Sequence, residues 1–302
     1  MESVIQYLEN MPSSYRSGVL VTGLVLFWIL EGAVPLFQLS RGRIQHAALN
    51  LGLTILQLIV AFSFGLLVVE AARVTSANQF GLLYLIQLPM WLHVVCGVLL
   101  LDFFGGYLIH RIQHRLPALW RFHIVHHADR HVDVTTGLRH HPFETLFRLS
   151  SQLTAVLIGG IPIGVVFLYQ LLSIFFTQLT HANIRSFRRA DRYLSWIFVT
   201  PNMHKVHHHQ EKPLTDTNYG NVFSIWDRLL GTFAQVDPEQ LVYGIDSLPD
   251  PGDHDRLGRL LTLPFRRWHS DAGITPSTSR QRETTDIQKQ AIDGDRDASQ
   301  SR

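Results

Sequence analysis

The sequence predicts an all-α integral membrane bundle. It has three spanning helices, a helical hairpin that enters and leaves the bilayer on one side, and a cytoplasmic helical cap rich in histidine. Three observations predict it. Residues 17–38, 48–69 and 81–109 are nearly free of charge, and each is about as long as the ~20 residues a helix needs to cross a bilayer. A fourth apolar stretch, 149–180, is broken by Gly159-Gly160-Ile161-Pro162-Ile163-Gly164. Strand signals are weak throughout, whereas the histidines recur at helical spacing. Of 302 residues, 46% are hydrophobic and 17% charged, and three such runs in succession are hard to hide in a soluble core.

Each element follows in order. Residues 1–16 carry two acids and one base without a short apolar stretch ending at a small-residue cleavage site, so no cleavable signal is expected. Helix one is expected over 17–38, helix two over 47–70, and helix three from about 82 to beyond 110, so that 17–109 forms a membrane unit. Arg41, Arg43 and the run Arg111, Arg115, Arg121, Arg130, Arg139 and Arg148 mark basic loops, with Arg185, Arg188, Arg189 and Arg192 after them. Basic loops stay in the cytoplasm, which sets the N-terminus outside and brings His110 out on the cytoplasmic side. The arginines read as contacts with anionic headgroups rather than with nucleic acid. The single cysteine, Cys96, allows neither an internal disulfide nor a thiolate metal site.

The stretch 149–180 decides whether the histidines on either side of it share one face of the membrane. A single crossing would separate them. Gly and Pro punctuate helices, so a same-side hairpin is expected. Its first arm, 149–158, would rise only ~15 Å at 1.5 Å per residue, which makes the hairpin shallow or tilted. Residues 183–270 complete a polar cap with helical patterning near 187–199 and 203–209. From 271 to 302 the sequence lacks aromatic residues and an aliphatic pattern, and a disordered tail is expected.

Thirteen of the seventeen histidines fall between His110 and His209. Eight stand in three patterns: His110-x3-His114, His123-x2-His126-His127 and His204-x2-His207-His208. Residues three and four apart share a helical face, and imidazole is the commonest protein metal ligand. Metal binding selects neutral imidazole and removes the repulsion that protonated neighbours would suffer. A polynuclear site at a membrane surface is therefore expected, with His141 and His181 as further ligands. His131, His140 and His209 are weaker candidates; His209, five residues after His204, is rotated ~140° from that ligand face. His46, His93, His254 and His269 stand alone and read as structural.

The pattern resembles the fatty acid hydroxylase/sterol desaturase superfamily of membrane di-iron oxygenases. The resemblance runs over 102–233: Asp102, His110-Arg111-x2-His114, and Trp120-x-Phe122-His123-x2-His126-His127. It continues through Thr135-Thr136-x-Leu138-Arg139-x-His141-Pro142-x-Glu144, His181-x-Asn183 and His204-x2-His207-His208, ending in Asn218-Tyr219-Gly220, Trp226-Asp227 and Gly231-Thr232. It implies ten ligands around two metals: His110, His114, His123, His126, His127, His141, His181, His204, His207 and His208. It implies two iron ions, dioxygen as co-substrate, and hydroxylation or desaturation of an unactivated C–H bond of a membrane lipid. Imidazole alone suits zinc, copper, iron and nickel alike, and zinc is an expected substitute in purified protein. Asp102 is expected to orient a ligand or border a substrate channel, since acids in spans are usually functional. Asn218, Tyr219, Trp226 and Asp227 are expected to support the ligands from behind.

No haem, flavin or nicotinamide motif is visible, so a separate reductase is the expected electron donor. The expected location is a bacterial inner membrane, crossed several times, with the metal site facing the cytoplasm. Two rival classes remain at this level. A metal transporter needs ionisable ligands along a path inside the spans, and a zinc lipid hydrolase needs an open metal position and a carboxylate base, a role into which Glu144 could be forced.

Overall fold

The computed structural model describes residues 2–39, 42–186, 188–245, 248 and 252–266; the expected tail 271–302 lies outside them. Among the described residues the chain is helical, with isolated β-bridges such as Phe198 to Phe223 and no strand. Helix α1 spans Glu2–Glu9, α2 Ser13–Ala33, α3 Arg43–Ala77, α4 Met90–Arg115 and α5 Pro117–His127. The hairpin is α6, Pro142–Gly159, with α7, Ile163–His181. The cap adds α8, Arg188–Leu194, and α9, Pro201–His207.

Among the described residues four helices are long and apolar enough to cross a membrane: α2, α3 with the turn that follows it to Tyr84, α4 and α7. Their outer faces carry exposed Ile55, Leu58, Ile59 and Phe62 on α3 and Val21, Val25 and Ile29 on α2, as lipid-facing helices do. Local chemistry moves the expected boundaries. Helix α2 stops at Ala33 rather than 38, because Val34 precedes Pro35 and a residue before proline is pushed out of helical geometry. Helix three starts at Met90, behind Pro89, and the expected start at 82 is only a short 3₁₀ turn. The middle of α4, Asp102–Leu108, winds as a π-helix, a form found mostly at functional sites.

The hairpin corrects the expected geometry. Its first arm is not ten residues from 149; α6 begins at Pro142 and has 18 residues, a rise of about 27 Å. Pro142 sits in the first turn, where its missing N–H costs nothing. Gly160 ends α6 in left-handed conformation (φ 72°), and a Cβ there would strike the Phe80 carbonyl and the Tyr84 ring. The tip therefore packs tightly on the turn after α3. At the same end Ile5 of α1 touches Gly164. The hairpin then carries the chain back, so that His181 closes α7 at the end where α6 began, beside the other histidines. The core between the helices is built from Val68, Val94, Val98, Ala155, Val165 and Tyr169, among others.

Candidate metal centre

Among the described residues nine imidazoles form two buried all-histidine groups, and a third candidate group joins His123 to His140 and Glu144. The first holds His110, His114, His123, His127 and His207, and the second His126, His181, His204 and His208; in each, the nitrogens on offer lie within 4.8 Å of one another. Helix α4 contributes His110 and His114, one turn apart on one face. Helices α5 and α9 each split their motif. His123 and His127 go to the first group and His126 to the second, whereas His207 goes to the first and His204 and His208 to the second. Adjacent helical residues diverge by about 100°, so a His-His pair serves two centres rather than one.

Hydrogen bonds on the outer nitrogens fix the rings. His110 Nδ1–H donates to the Tyr219 carbonyl at 2.9 Å, and His207 Nδ1–H to that of Thr217 at 2.7 Å. His123 Nδ1–H donates to Glu144 Oε1 at 2.9 Å, and His114 Nδ1–H to Asp216 Oδ1 at 3.2 Å. In the second group, His181 Nδ1–H donates to Thr177 at 2.7 Å and His126 Nδ1–H to Arg139 at 3.3 Å, both to carbonyl oxygens. Each of these rings then turns a bare Nε2 lone pair inward, the arrangement by which outer partners orient metal-binding histidines.

The inward nitrogens crowd. Nε2 of His110 lies 3.0 Å from Nε2 of His123, and Nε2 of His181 lies 3.1 Å from those of His204 and His208 and 3.2 Å from that of His126. In the His110–His123 and His126–His181 pairs the outer bonds leave two lone pairs face to face, which repel unless a cation sits between them. Ligands ~2.1 Å from one ion and at right angles to each other stand about 3.0 Å apart. Nε2 of His114 and of His207 are buried with no protein partner. The donor set therefore fits a metal ion in each group. Burial pushes His123 down to about 3 and holds His126, His127, His204, His207 and His208 well below the ordinary range. Neutral imidazole, the form a metal needs, is thus the resting form.

The tenth expected ligand, His141, is not brought to either group. Its Nδ1 accepts the Phe143 N–H at 3.2 Å and its Nε2–H donates to the Leu261 carbonyl at 3.2 Å, which leaves no lone pair for a metal. It caps α6 and packs against Phe122. His140 instead lies at the site as a neighbour. It stacks on His126 with ring centres 4.3 Å apart, and its Nδ1 is 3.1 Å from Glu144 Oε1. His209 lies past the end of α9 and accepts the Val242 N–H.

The expected supporting residues act through the 218–232 segment. Asp102, fully buried, accepts from Trp226 Nε1 at 2.9 Å, from the Val222 and Phe223 N–H groups at 3.1 Å, and from the Tyr169 hydroxyl at 3.3 Å. It pairs with no arginine and touches no histidine among the described residues; it fastens that segment to α4 and α7. Asp227 accepts from the N–H groups of Tyr219 and Gly220 at 2.8 Å and from the Thr232 hydroxyl at 2.7 Å, holding the carbonyl that orients His110. Asn218 takes left-handed geometry (φ 52°) and bonds Met203, beside His204, and Ala234. The Tyr219 ring packs on His110, His114 and His207.

Sequence reasoning missed Asp216, which no motif marks. It also set His46 aside, yet the ring lies against Asp129 and Asp133 at 2.8 and 3.2 Å. The spacing Asp129-x3-Asp133 around His131 was the available signal.

Residues 94–232 match the model of the family described as fatty acid hydroxylase. The chain is 37% identical over 147 residues to an ornithine lipid hydroxylase of Rhizobium tropici, covering 49% of this chain and 43% of that protein. It is 27% identical over 258 residues to alkylglycerol monooxygenase of Homo sapiens, covering 81% of this chain and 53% of that protein. A fatty acid hydroxylase of Lecanicillium is 27% identical over 173 residues, 52% of this chain and 47% of its own length. The chain thus spans about half the length, or less, of the curated relatives it matches. No solved structure matches it.

Proposed function

We propose that this chain, whose residues 94–232 match the fatty acid hydroxylase model, is a membrane oxidoreductase that hydroxylates a lipid at an unactivated C–H bond. The observation that carries this reading is the pair of imidazole groups with inward lone pairs, set at the ends of membrane-length helices. A transporter's ligands would line the spans; these gather at one end. A zinc hydrolase keeps three protein ligands and an open position, whereas the two groups here offer five and four imidazoles.

His110, His114, His123, His127 and His207 would hold one ion, and His126, His181, His204 and His208 a second. Two irons fit such nitrogen donors; when bound they supply dioxygen activation. The balance is R–H + O2 + 2 e⁻ + 2 H⁺ → R–OH + H2O, with electrons from a separate reductase. The chain's own residues orient and exclude water. Tyr219, Thr217, Thr177 and Arg139 carbonyls hold ring tautomers, while buried Tyr107, Tyr169 and Ile124 close the surroundings to solvent. The basic loops beside the site support a cytoplasm-facing centre.

The test is iron per protein and 18O2 labelling. Purified iron-loaded protein with a chemical reductant and a total membrane lipid extract should yield a lipid heavier by one 18O atom. Dioxygen uptake without a labelled lipid would overturn the reading.

A further inference from the structure

A second feature lies beside the histidine groups and plays no part in holding metal. Residues 34–42 join α2 to α3 at the end of two membrane-length helices, which is the depth of lipid headgroups. There Phe37, Gln38 and Leu39 wall a cavity of about 530 Å³ together with residues 130–133, 241–243, Ile245 and Leu248, a size usual for small-molecule sites. Asn183 and Gln210 line it too. Each stands two residues beyond a histidine of the second group, His181 and His208.

The lining has two characters. Phe37, Val132, Leu241 and Ile245 are apolar. Against them stand Arg43, Arg130 and Tyr243. The Nε–H of Arg43 is buried without a partner, although the same guanidinium bonds Glu31 at 2.6 Å through Nη2 and lies over the Trp28 ring. The Tyr243 hydroxyl is also buried without a partner. Arg130 is exposed and bonds the Leu248 carbonyl at 3.2 Å. Asp133 lines the cavity as well, but its Oδ1 accepts from the Thr135 N–H and hydroxyl and its Oδ2 faces His46. Two arginines with a phenol on one wall match acidic oxygens.

We propose that this cavity binds the acidic headgroup, carboxylate or phosphate, of an amphiphile, and so presents the carbons next to that headgroup to the second histidine group. That this amphiphile is the substrate rests on the hydroxylase reading; the binding does not.

The experiment uses the full metal-loaded chain in non-ionic detergent and calorimetric titration. The probes are N-dodecanoyl-ornithine, 1-dodecanoyl lysophosphatidic acid, uncharged 1-dodecylglycerol, and inorganic phosphate. Both acidic amphiphiles should bind the wild type. Arg130→Gln and Tyr243→Phe should each weaken them about tenfold with iron per protein unchanged. 1-Dodecylglycerol should not discriminate among the three proteins, and phosphate should not compete. Acidic probes that fail to bind the wild type, or that bind both variants equally well, overturn the proposal. Phosphate competing as well as the amphiphiles overturns the lipid assignment. Loss of binding in the variants while wild type labels no lipid with 18O leaves the headgroup site standing and removes the hydroxylase reading. Unchanged KM and turnover in both variants removes the site and leaves the reading.

Discussion

Replacing His181 by Ala should empty the second metal position, whereas replacing His141, one of the ten ligands the family resemblance implies, should not. The magnitudes follow from the geometry. Nε2 of His181 is 3.1–3.2 Å from three other Nε2 atoms, so its loss removes one of four donors. Metal binding by a four-ligand protein site is worth about 10–16 kcal/mol, or roughly 2.5–4 kcal/mol per ligand, and each 1.4 kcal/mol is tenfold. Affinity at the second group should fall roughly 10²–10³-fold, and occupancy from two ions toward one. His141→Ala loses only a helix cap, worth about 1 kcal/mol, and the bond to Leu261. The assay is metal per protein by mass spectrometry after dialysis against a graded chelator series, with wild type alongside. If His141→Ala loses metal in step with His181→Ala, the tautomer argument that excludes His141 is wrong. If His181→Ala keeps both ions, the second group is not a metal site.

Further outcomes follow from other parts of the molecule. His207→Ala should lose metal from the first group and activity with it, whereas His209→Ala, past the end of α9, should keep both; equal metal loss would refute the placement. Asp227→Ala leaves the Tyr219 and Gly220 N–H groups and the Thr232 hydroxyl without their acceptor, a destabilisation of about 2–5 kcal/mol, readable as a lower thermal midpoint together with weaker first-group metal. The metal-free protein should lose stability as pH falls below 6.5. Burial holds His123 at about 3 and the other cap histidines low, so the unfolded chain, with ordinary imidazoles, takes up protons first. That stability is complete above 6.5 and declines toward pH 3; a midpoint that does not change between pH 7 and 5 would refute it. Reporter fusions at residues 5 and 275 should report opposite sides of the membrane, since α1 packs at the hairpin tip, away from the histidines.

Much of the fold was legible because the bilayer imposes one strong rule: a spanning helix must be long and apolar. The Gly-Gly-Ile-Pro break was legible for the same reason, since only a returning chain lets His181 join the others. Boundaries were less so. Pro35 and Pro89 carry the end of α2 and the start of α4, but hydrophobicity continues past both, and composition alone runs through them. The length of α6 was hidden because polar Glu144, Arg148 and Ser150 begin an arm whose apolar part starts later.

For the centre, the sequence by itself determined which side chains were available and that they share faces as potential ligands, since spacing of three and four is a local property of a helix. It did not determine the partition. His126 and His127 are neighbours in the chain, yet 100° of rotation sends them to different groups, and only the packing of α4, α5, α7 and α9 decides which imidazoles meet. The same holds for His140 and His141. Both stand beside Pro142, and nothing in the dipeptide tells which ring turns inward; the start of α6 takes the His141 lone pair as its cap and leaves His140 against His126. The carbonyls of Tyr219, Thr217 and Thr177 carry no side-chain signature at all. Their role depends on where the backbone passes, and that is a property of the tertiary structure alone.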